Sequence, residues 1–234
     1  MTHPEQGVFV TATDTGVGKT LVACELIRRM RGRGIDACGM KPVETGVGAE
    51  GPLDALALRA AAGGADPLEE VCPQRFALPS APSVAAEAEG RQLDLEAVRR
   101  AFARLAARHE CVITEGAGGL LVPLTPGVDM AGLAAELRLP VLVVARARLG
   151  TLNHTLLTLE ALRARALRVV GVVVSRADGA LSQADELNLG QLRKAVADLW
   201  RGDIPYLVGG AGAPEESLDL DGILASLGLA RGRW

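Results

Sequence analysis

The sequence predicts an α/β fold, a parallel β-sheet with helices on both faces. Three observations predict it. Short runs that are apolar on both faces and rich in Val or Ile recur along the 234 residues, as buried parallel strands require. Helix-length stretches alternate with these runs, the order that crossovers between parallel strands produce. Polar clusters follow several of the runs, at the carboxyl ends where such sheets carry their ligands.

Taken in order, Gly7–Thr13 holds the run Val8-Phe9-Val10 and leads through a glycine-bearing loop into a helix at 19–32. A second strand, Ile35–Lys41, ends at Pro42, which fixes the chain's exit, and the helix near 53–63 opens on Asp54-Ala55-Leu56. A helix over 94–109 precedes the strand Cys111–Thr114, which ends at Glu115-Gly116-Ala117-Gly118-Gly119. A helix at 129–138 leads to the strand Pro140–Ala145; Leu149-Gly150-Thr151-Leu152-Asn153-His154 then opens the helix 151–166. The strand Arg168–Ser175, a helix at 181–200, the strand Ile204–Val208 and a helix at 217–228 complete the chain. About seven strands are expected in one domain spanning 1–234, with its ordered core over about 7–228. The Pro- and Gly-rich stretches 46–52 and 78–90 read as loops over an active site, and residues 1–6 and 231–234 as frayed termini.

Composition narrows the function. Hydrophobic residues make up 49 % and charged residues 23 %, as in a globular, soluble chain. No run approaches the roughly 20 apolar residues of a membrane span, and no basic-then-apolar leader opens the sequence. A cytoplasmic protein without a membrane partner is expected. The formal net charge is −3 and no basic run is longer than Arg28-Arg29, which argues against nucleic acid. Cys24, Cys38, Cys72 and Cys111 stand at unrelated spacings and read as core thiols. Of the 25 basic residues only Lys19, Lys41 and Lys194 are lysines. Arginine covers the general need for positive charge, so a lysine inside a motif is pointed. A compact ammonium threads among phosphate oxygens as a guanidinium does not.

Residues 12–20, Ala-Thr-Asp-Thr-Gly-Val-Gly-Lys-Thr, have the layout of a phosphate-binding loop between a strand and a helix. Backbone N–H groups of such a loop point at phosphate oxygens, Lys19 adds positive charge, and Thr20 would place its hydroxyl on magnesium. The spacing is that of a five-residue variant in which Ala12 replaces the first glycine; alanine needs negative φ there, making the start of the loop less permissive. Lys41 at a strand's end could hold a cation near the phosphates, or lie on the surface. Thr45 could contact a substrate, or simply sit in the turn before Gly46. Glu115 could complete magnesium coordination, or be a solvated strand-end carboxylate. Asp54 could be a ligand, or the N-cap of its helix. The helix start Gly150-Thr151-Leu152-Asn153 could receive an anion such as a carboxylate. His154 reads as a packed residue more readily than a base; His3 and His109 attract no role.

Together these clusters closely resemble the dethiobiotin synthetase family. The resemblance runs over almost the whole chain: Thr-x-Thr-Asp-Thr-x-Val-Gly-Lys-Thr at 11–20, Lys-Pro-Val at 41–43, Asp-Ala-Leu at 54–56, the Phe76…Pro79…Pro82…Glu89-Gly90 segment, Glu-Gly-Ala-Gly-Gly at 115–119 and Leu-Gly-x-x-Asn-His at 149–154. It implies a P-loop NTPase-like fold and ATP-dependent ring closure of 7,8-diaminopelargonate with CO2 in biotin biosynthesis. It also implies magnesium held by Thr20, Asp54 and Glu115, and phosphoryl transfer assisted by Lys19 and Lys41. Nucleotide contacts are implied at Thr15, Gly16, Val17, Gly18, Lys19, Thr20, Asp54, Glu115, Gly116, Ala117, Gly118, Ser175, Arg176, Pro205, Tyr206 and Leu207. Substrate contacts are implied at Thr45, Gly150, Thr151, Leu152 and Asn153, the last four across the interface of a homodimer with a shared active site. Besides Ala12, the sequence departs from the family's pattern at Ala81, where Ser often precedes Pro82, and at Ser175, where an Asn commonly reads the purine edge.

The nearest alternative is a partitioning-type P-loop ATPase that switches its dimerisation. Such proteins typically carry a second lysine early in the loop, and that slot is Asp14 here. An amidotransferase-type synthetase acting on a corrin precursor would need a further glutaminase domain, for which 234 residues leave no space. A non-catalytic binding module on the same fold is a third reading.

Overall fold

The computed structural model describes residues 7–177, 179–207 and 212–230. Its elements in chain order are β1 (Gly7–Ala12), α1 (Lys19–Gly32), β2 (Ala37–Met40), β3 (Val43–Thr45), α2 (Leu53–Ala61), α3 (Leu68–Val71) and β4 (Gln74–Phe76). There follow α4 (Pro82–Ala88), α5 (Leu95–Ala106), β5 (Cys111–Glu115), β6 (Pro123–Thr125), β7 (Val128–Asp129) and α6 (Met130–Glu136). The last are β8 (Val141–Arg146), α7 (Thr151–Ala164), β9 (Val169–Ser175), α8 (Gln183–Val196), β10 (Trp200–Ile204) and α9 (Leu220–Leu227).

Six strands form one sheet in the order β10-β9-β8-β1-β5-β2, and each neighbouring pair is parallel. The expected α/β architecture is therefore present, with one strand fewer in the main sheet than the seven or so anticipated. Register aligns the carboxyl ends: Val10 lies beside Glu115, Ala12 beside Val144, and Arg146 beside Ser175. The loops after β1, β2, β5, β8 and β9 consequently leave one edge of the sheet. β1 is buried at every position, and Val8, Phe9 and Val10 have no exposure at all. Each such side chain stabilises the fold by about 1.5–3 kcal/mol on burial. The four cysteines are buried and free, and burial pushes the thiols of Cys24, Cys72 and Cys111 up to about 12.

Three expectations shift. The strand placed at Ile204–Val208 runs instead over Trp200–Ile204; Pro205 lacks an N–H and ends the ladder, and Val208 lies outside the described residues. The helix expected to reach 200 stops at Val196, because Ala197 turns the chain with φ 43° into a short 3-10 turn. The stretch 78–90 is not all loop: Pro82, at the first helical position, opens α4. Two small ribbons, β3–β4 and β6–β7, are too short for periodicity to reveal. The expected frayed ends, 1–6 and 231–234, lie outside the described residues.

Candidate active site

Ala12 is the last residue of β1 and pairs with Val144, so it is extended backbone and needs no glycine. The positive-φ positions of the loop are Gly16 (φ 69°) and Gly18 (φ 94°), both glycine as the conformation favours. Gly18 immediately precedes α1, and Lys19 is that helix's first residue. Lys19 is only 7 % exposed, and its Nζ donates to the Asp14 carbonyl at 3.4 Å. Burial, and then the charge of Lys41, lower its pKa from the ordinary value. Two buried ammonium groups thus repel each other across a site that an anion would stabilise.

Lys41 leaves the end of β2 and is fully enclosed. Its Nζ lies 2.6 Å from Asp54 Oδ2 and 2.6 Å from Glu115 Oε1. Burial pulls Lys41 down, but the charges of Glu115 and Asp54 outweigh it and hold the ammonium above its ordinary value. At Asp54 burial pushes up, while Lys41 and the Thr20 hydroxyl pull harder, so its carboxyl is held low. Thr20 Oγ1 donates to Glu115 Oε1 at 3.0 Å. The other carboxylate oxygen, Glu115 Oε2, is buried without a hydrogen-bond partner among the described residues. Thr20, Asp54 and Glu115 are a hydroxyl and two carboxylates at one point, the hard oxygen set that magnesium takes, and the orphaned Oε2 is an acceptor awaiting a cation. The residues fit the ion.

Asp54 does not cap its helix. It is the second residue of α2, whose N-cap position, Pro52, has no capping side chain. Glu44 does that work from the neighbouring strand β3. Its Oε1 accepts the Asp54 N–H at 3.0 Å and its Oε2 accepts the Ala55 N–H at 2.9 Å. No sequence signal singles out Glu44, because β3 is too short for periodicity to reveal. Replacing Glu44 by glutamine keeps the shape but sets an amide N–H against a backbone N–H. The helix start that carries Asp54 should loosen, at a cost of about 1–3 kcal/mol. We expect the magnesium concentration for half-maximal turnover to rise about tenfold in folded Glu44→Gln protein, since about 1.4 kcal/mol corresponds to a factor of ten. An unchanged magnesium titration would confine Glu44 to stability.

A cavity of about 450 Å³ lies over the loop, and Lys19, Thr20, Lys41, Thr45, Asp54 and Glu115 all line it, with Thr15, Gly16, Gly18, Ala117 and Gly118. A second, of about 410 Å³, shares Thr15, Thr45, Ala117 and Gly118 and continues between Pro79, Pro82 and Val122. The Val17 residue packs into the core at 1 % exposure. Gly116 lies on Phe9, where an added Cβ would come within 3.0 Å of the ring. Ser175 is buried, its Oγ has no hydrogen-bond partner among the described residues, and that oxygen would be 2.3 Å from a Cβ on Gly18. Arg176 is bound to Asp203 and Glu186, and Pro205, Tyr206 and Leu207 follow the neighbouring strand end.

Gly150, Thr151, Leu152 and Asn153 line neither cavity. Gly150 (φ 94°) is the N-cap of α7, the same left-handed start that Gly18 gives α1. The Thr151 N–H donates to the Arg148 carbonyl at 3.0 Å, while the Leu149 N–H is taken by Asp185 Oδ1 at 2.9 Å. The N–H groups of Gly150, Leu152 and Asn153 at this helix start have no hydrogen-bond partner among the described residues.

A family model described as an AAA domain matches residues 6–207. A protein of Anaeromyxobacter dehalogenans strain 2CP-C named ATP-dependent dethiobiotin synthetase BioD is 59 % identical over 171 residues, which is 73 % of this chain and 77 % of the relative. A protein of the same name from Aromatoleum aromaticum is 42 % identical over 213 residues, 89 % of this chain and 94 % of the relative. Among solved structures, the MinC:MinD complex of Aquifex aeolicus covers 98 % of both chains at TM-score 0.58 and 12 % identity. A ParA family ATPase from Chlorobium tepidum covers 96 % of this chain and 91 % of its own at TM-score 0.52 and 14 % identity. At such identities the two structures establish the P-loop NTPase-like fold and nothing finer. The sequence relatives, similar over most of their own length, establish the rest: the chain belongs to the ATP-dependent dethiobiotin synthetase family.

Proposed function

We propose that the protein converts 7,8-diaminopelargonate, CO2 and ATP into dethiobiotin, ADP and phosphate. The observation that carries this reading is the buried Lys41 clamped between Asp54 and Glu115, opposite Lys19 of the phosphate loop. One amine of the substrate adds to CO2 and loses a proton, giving a carbamate. A carbamate oxygen attacks the γ-phosphorus and ADP leaves. The second amine attacks the carbonyl carbon of the resulting anhydride; phosphate leaves, a proton is lost and the ring closes. Lys19 and Lys41 face the charge that grows on the phosphoryl oxygens, and the enclosed site fixes the reactants in line. Thr20, Asp54 and Glu115 would hold magnesium, whose positive charge would help neutralise the nucleotide phosphates. Thr45, on the wall shared by the two cavities, fits the reacting amines, and the groove past Pro79, Pro82 and Val122 fits the substrate's carbon chain.

A homodimer with a shared site belongs to the same reading. Leu149, Leu157 and Leu121 are 81 %, 60 % and 54 % exposed, and Leu121 and Leu157 border one groove beside α7. Such an apolar patch suits a second copy of the chain. No helix among the described residues is long and apolar enough to cross a membrane. Incubation with ATP, magnesium, bicarbonate and diaminopelargonate should yield dethiobiotin and ADP in equal amounts by mass spectrometry. ATP hydrolysis that the diamine does not stimulate, without dethiobiotin, would sink the assignment.

Base selectivity should be loose. Ser175 offers one hydroxyl where an amide would present a paired donor and acceptor, and its Oγ is turned on Gly18. Ser175→Asn should raise the ATP preference over GTP and CTP in kcat/KM by about tenfold, the worth of one well-placed hydrogen bond. A strong preference that the substitution leaves unchanged would move base reading to the Pro205–Leu207 backbone.

A further inference from the structure

We propose that Cys38, Asp66 and His109 form a zinc-type metal site, remote from the phosphate loop, that fastens three segments at the amino-terminal end of the sheet. Cys38 is on β2, Asp66 lies between α2 and α3, and His109 lies between α5 and β5. Their ligand atoms lie within 4.8 Å of one another, the one such group of three among the described residues. Cys38 has no exposure and Asp66 is 7 % exposed. By register Cys38 is level with Gly7, at the start of β1, whereas the phosphate loop follows the end of that strand. The site is independent of the nucleotide chemistry.

The histidine is already oriented as a ligand. Its Nδ1 faces Asp36 Oδ2 at 3.0 Å, and its Nε2 faces Asp66 Oδ1 at 3.1 Å. A carboxylate on the far nitrogen is the support that metal-bound histidines use, and it aims the other nitrogen at the metal. An imidazolium would donate to both carboxylates, whereas a neutral imidazole carries one N–H and leaves the lone pair of its other nitrogen against an oxygen. A divalent ion between Nε2, Asp66 Oδ1 and Cys38 Sγ turns that contact into two attractions. Thiolate and carboxylate together carry two negative charges, matching the ion's two positive ones. Metal binding takes the thiolate, so the Cys38 proton leaves to solvent as the metal–sulfur bond forms. Arg108 also reaches Asp66 but bonds Glu70 with the same nitrogen, so it keeps a carboxylate when the metal arrives. Sulfur and imidazole ligands select zinc over magnesium, and three protein donors leave the fourth tetrahedral position to water.

Cobalt(II) tests the site, because a thiolate ligand gives it a near-ultraviolet charge-transfer band. Chelator-stripped full-length protein should take up one equivalent of cobalt with that band, and zinc should then displace it. Asp36→Asn should keep the band and weaken zinc about 10- to 100-fold. Cys38→Ser should lose the band, and His109→Gln should weaken cobalt binding more than Asp36→Asn does. If Cys38→Ser does not fold, His109→Gln decides alone. Absence of the band in the unaltered protein, or wild-type cobalt affinity in His109→Gln protein of native circular dichroism, overturns the proposal.

Discussion

A Lys19→Ala variant should turn over ATP about 100- to 1,000-fold more slowly than the unaltered protein while melting at nearly the same temperature. The rate falls because the ammonium faces charge that develops only as the γ-phosphoryl group moves, so its loss raises the barrier rather than merely weakening binding. Stability should hold because Lys19 forms no ion pair among the described residues; its hydrogen bond is to the Asp14 carbonyl. Burial and the charge of Lys41 both disfavour its protonated form in the free protein, so removing it also relieves a repulsion. Lys41 makes the contrast. Its loss would leave Glu115 buried without its lysine partner, and breaking such a buried pair costs about 3–5 kcal/mol. Lys41 variants should therefore lose activity and melting temperature together. Initial rates at saturating ATP, with a thermal melt of the same preparations, separate the two lysines. Near-normal turnover in Lys19→Ala would overturn the phosphate-loop reading itself.

The sheet was legible because parallel strands buried on both faces must be apolar without interruption. Val8-Phe9-Val10 and Val172-Val173-Val174 are such runs, β-branched or aromatic throughout. The phosphate loop was legible for a local reason: glycine at 16 and 18 with Lys19 and Thr20 behind it is a backbone requirement written in adjacent residues. Glu44 was not legible, because its role depends on β3 lying beside the start of α2, a contact between segments ten residues apart with no local pattern. The Asp36–His109–Asp66 contact joins residues up to 73 positions apart, and nothing in the neighbourhood of any one of them announces the others. Asp54 was ambiguous in sequence because a carboxylate at a helix start suits a cap and a ligand equally. Only the capture of the helix N–H groups by Glu44 frees it for Lys41.

Mixing two inactive variants should restore activity if each site is built from two subunits. Lys19→Ala disables the phosphate loop and leaves the start of α7 intact; Gly150→Trp does the reverse. A tryptophan at 150 must adopt φ near 94°, which distorts the turn that presents the Leu152 and Asn153 N–H groups. The phosphate loop already uses the N-terminus of α1, so a second helix start with free donors suits the substrate's carboxylate, at the far end of its chain from the reacting amines. That second start lines neither cavity of its own chain, as a receiver contributed to the partner would not. Random re-pairing makes half of the dimers mixed, and each holds one intact composite site, so about a quarter of the wild-type activity should return. Asn153→Ala alone should raise the KM for the diamine and leave that for ATP nearly unchanged, which tests the same contact where Gly150→Trp disturbs folding. Native mass spectrometry would establish the exchange. An active monomer, or mixed dimers without recovered turnover, would place the whole site within one chain.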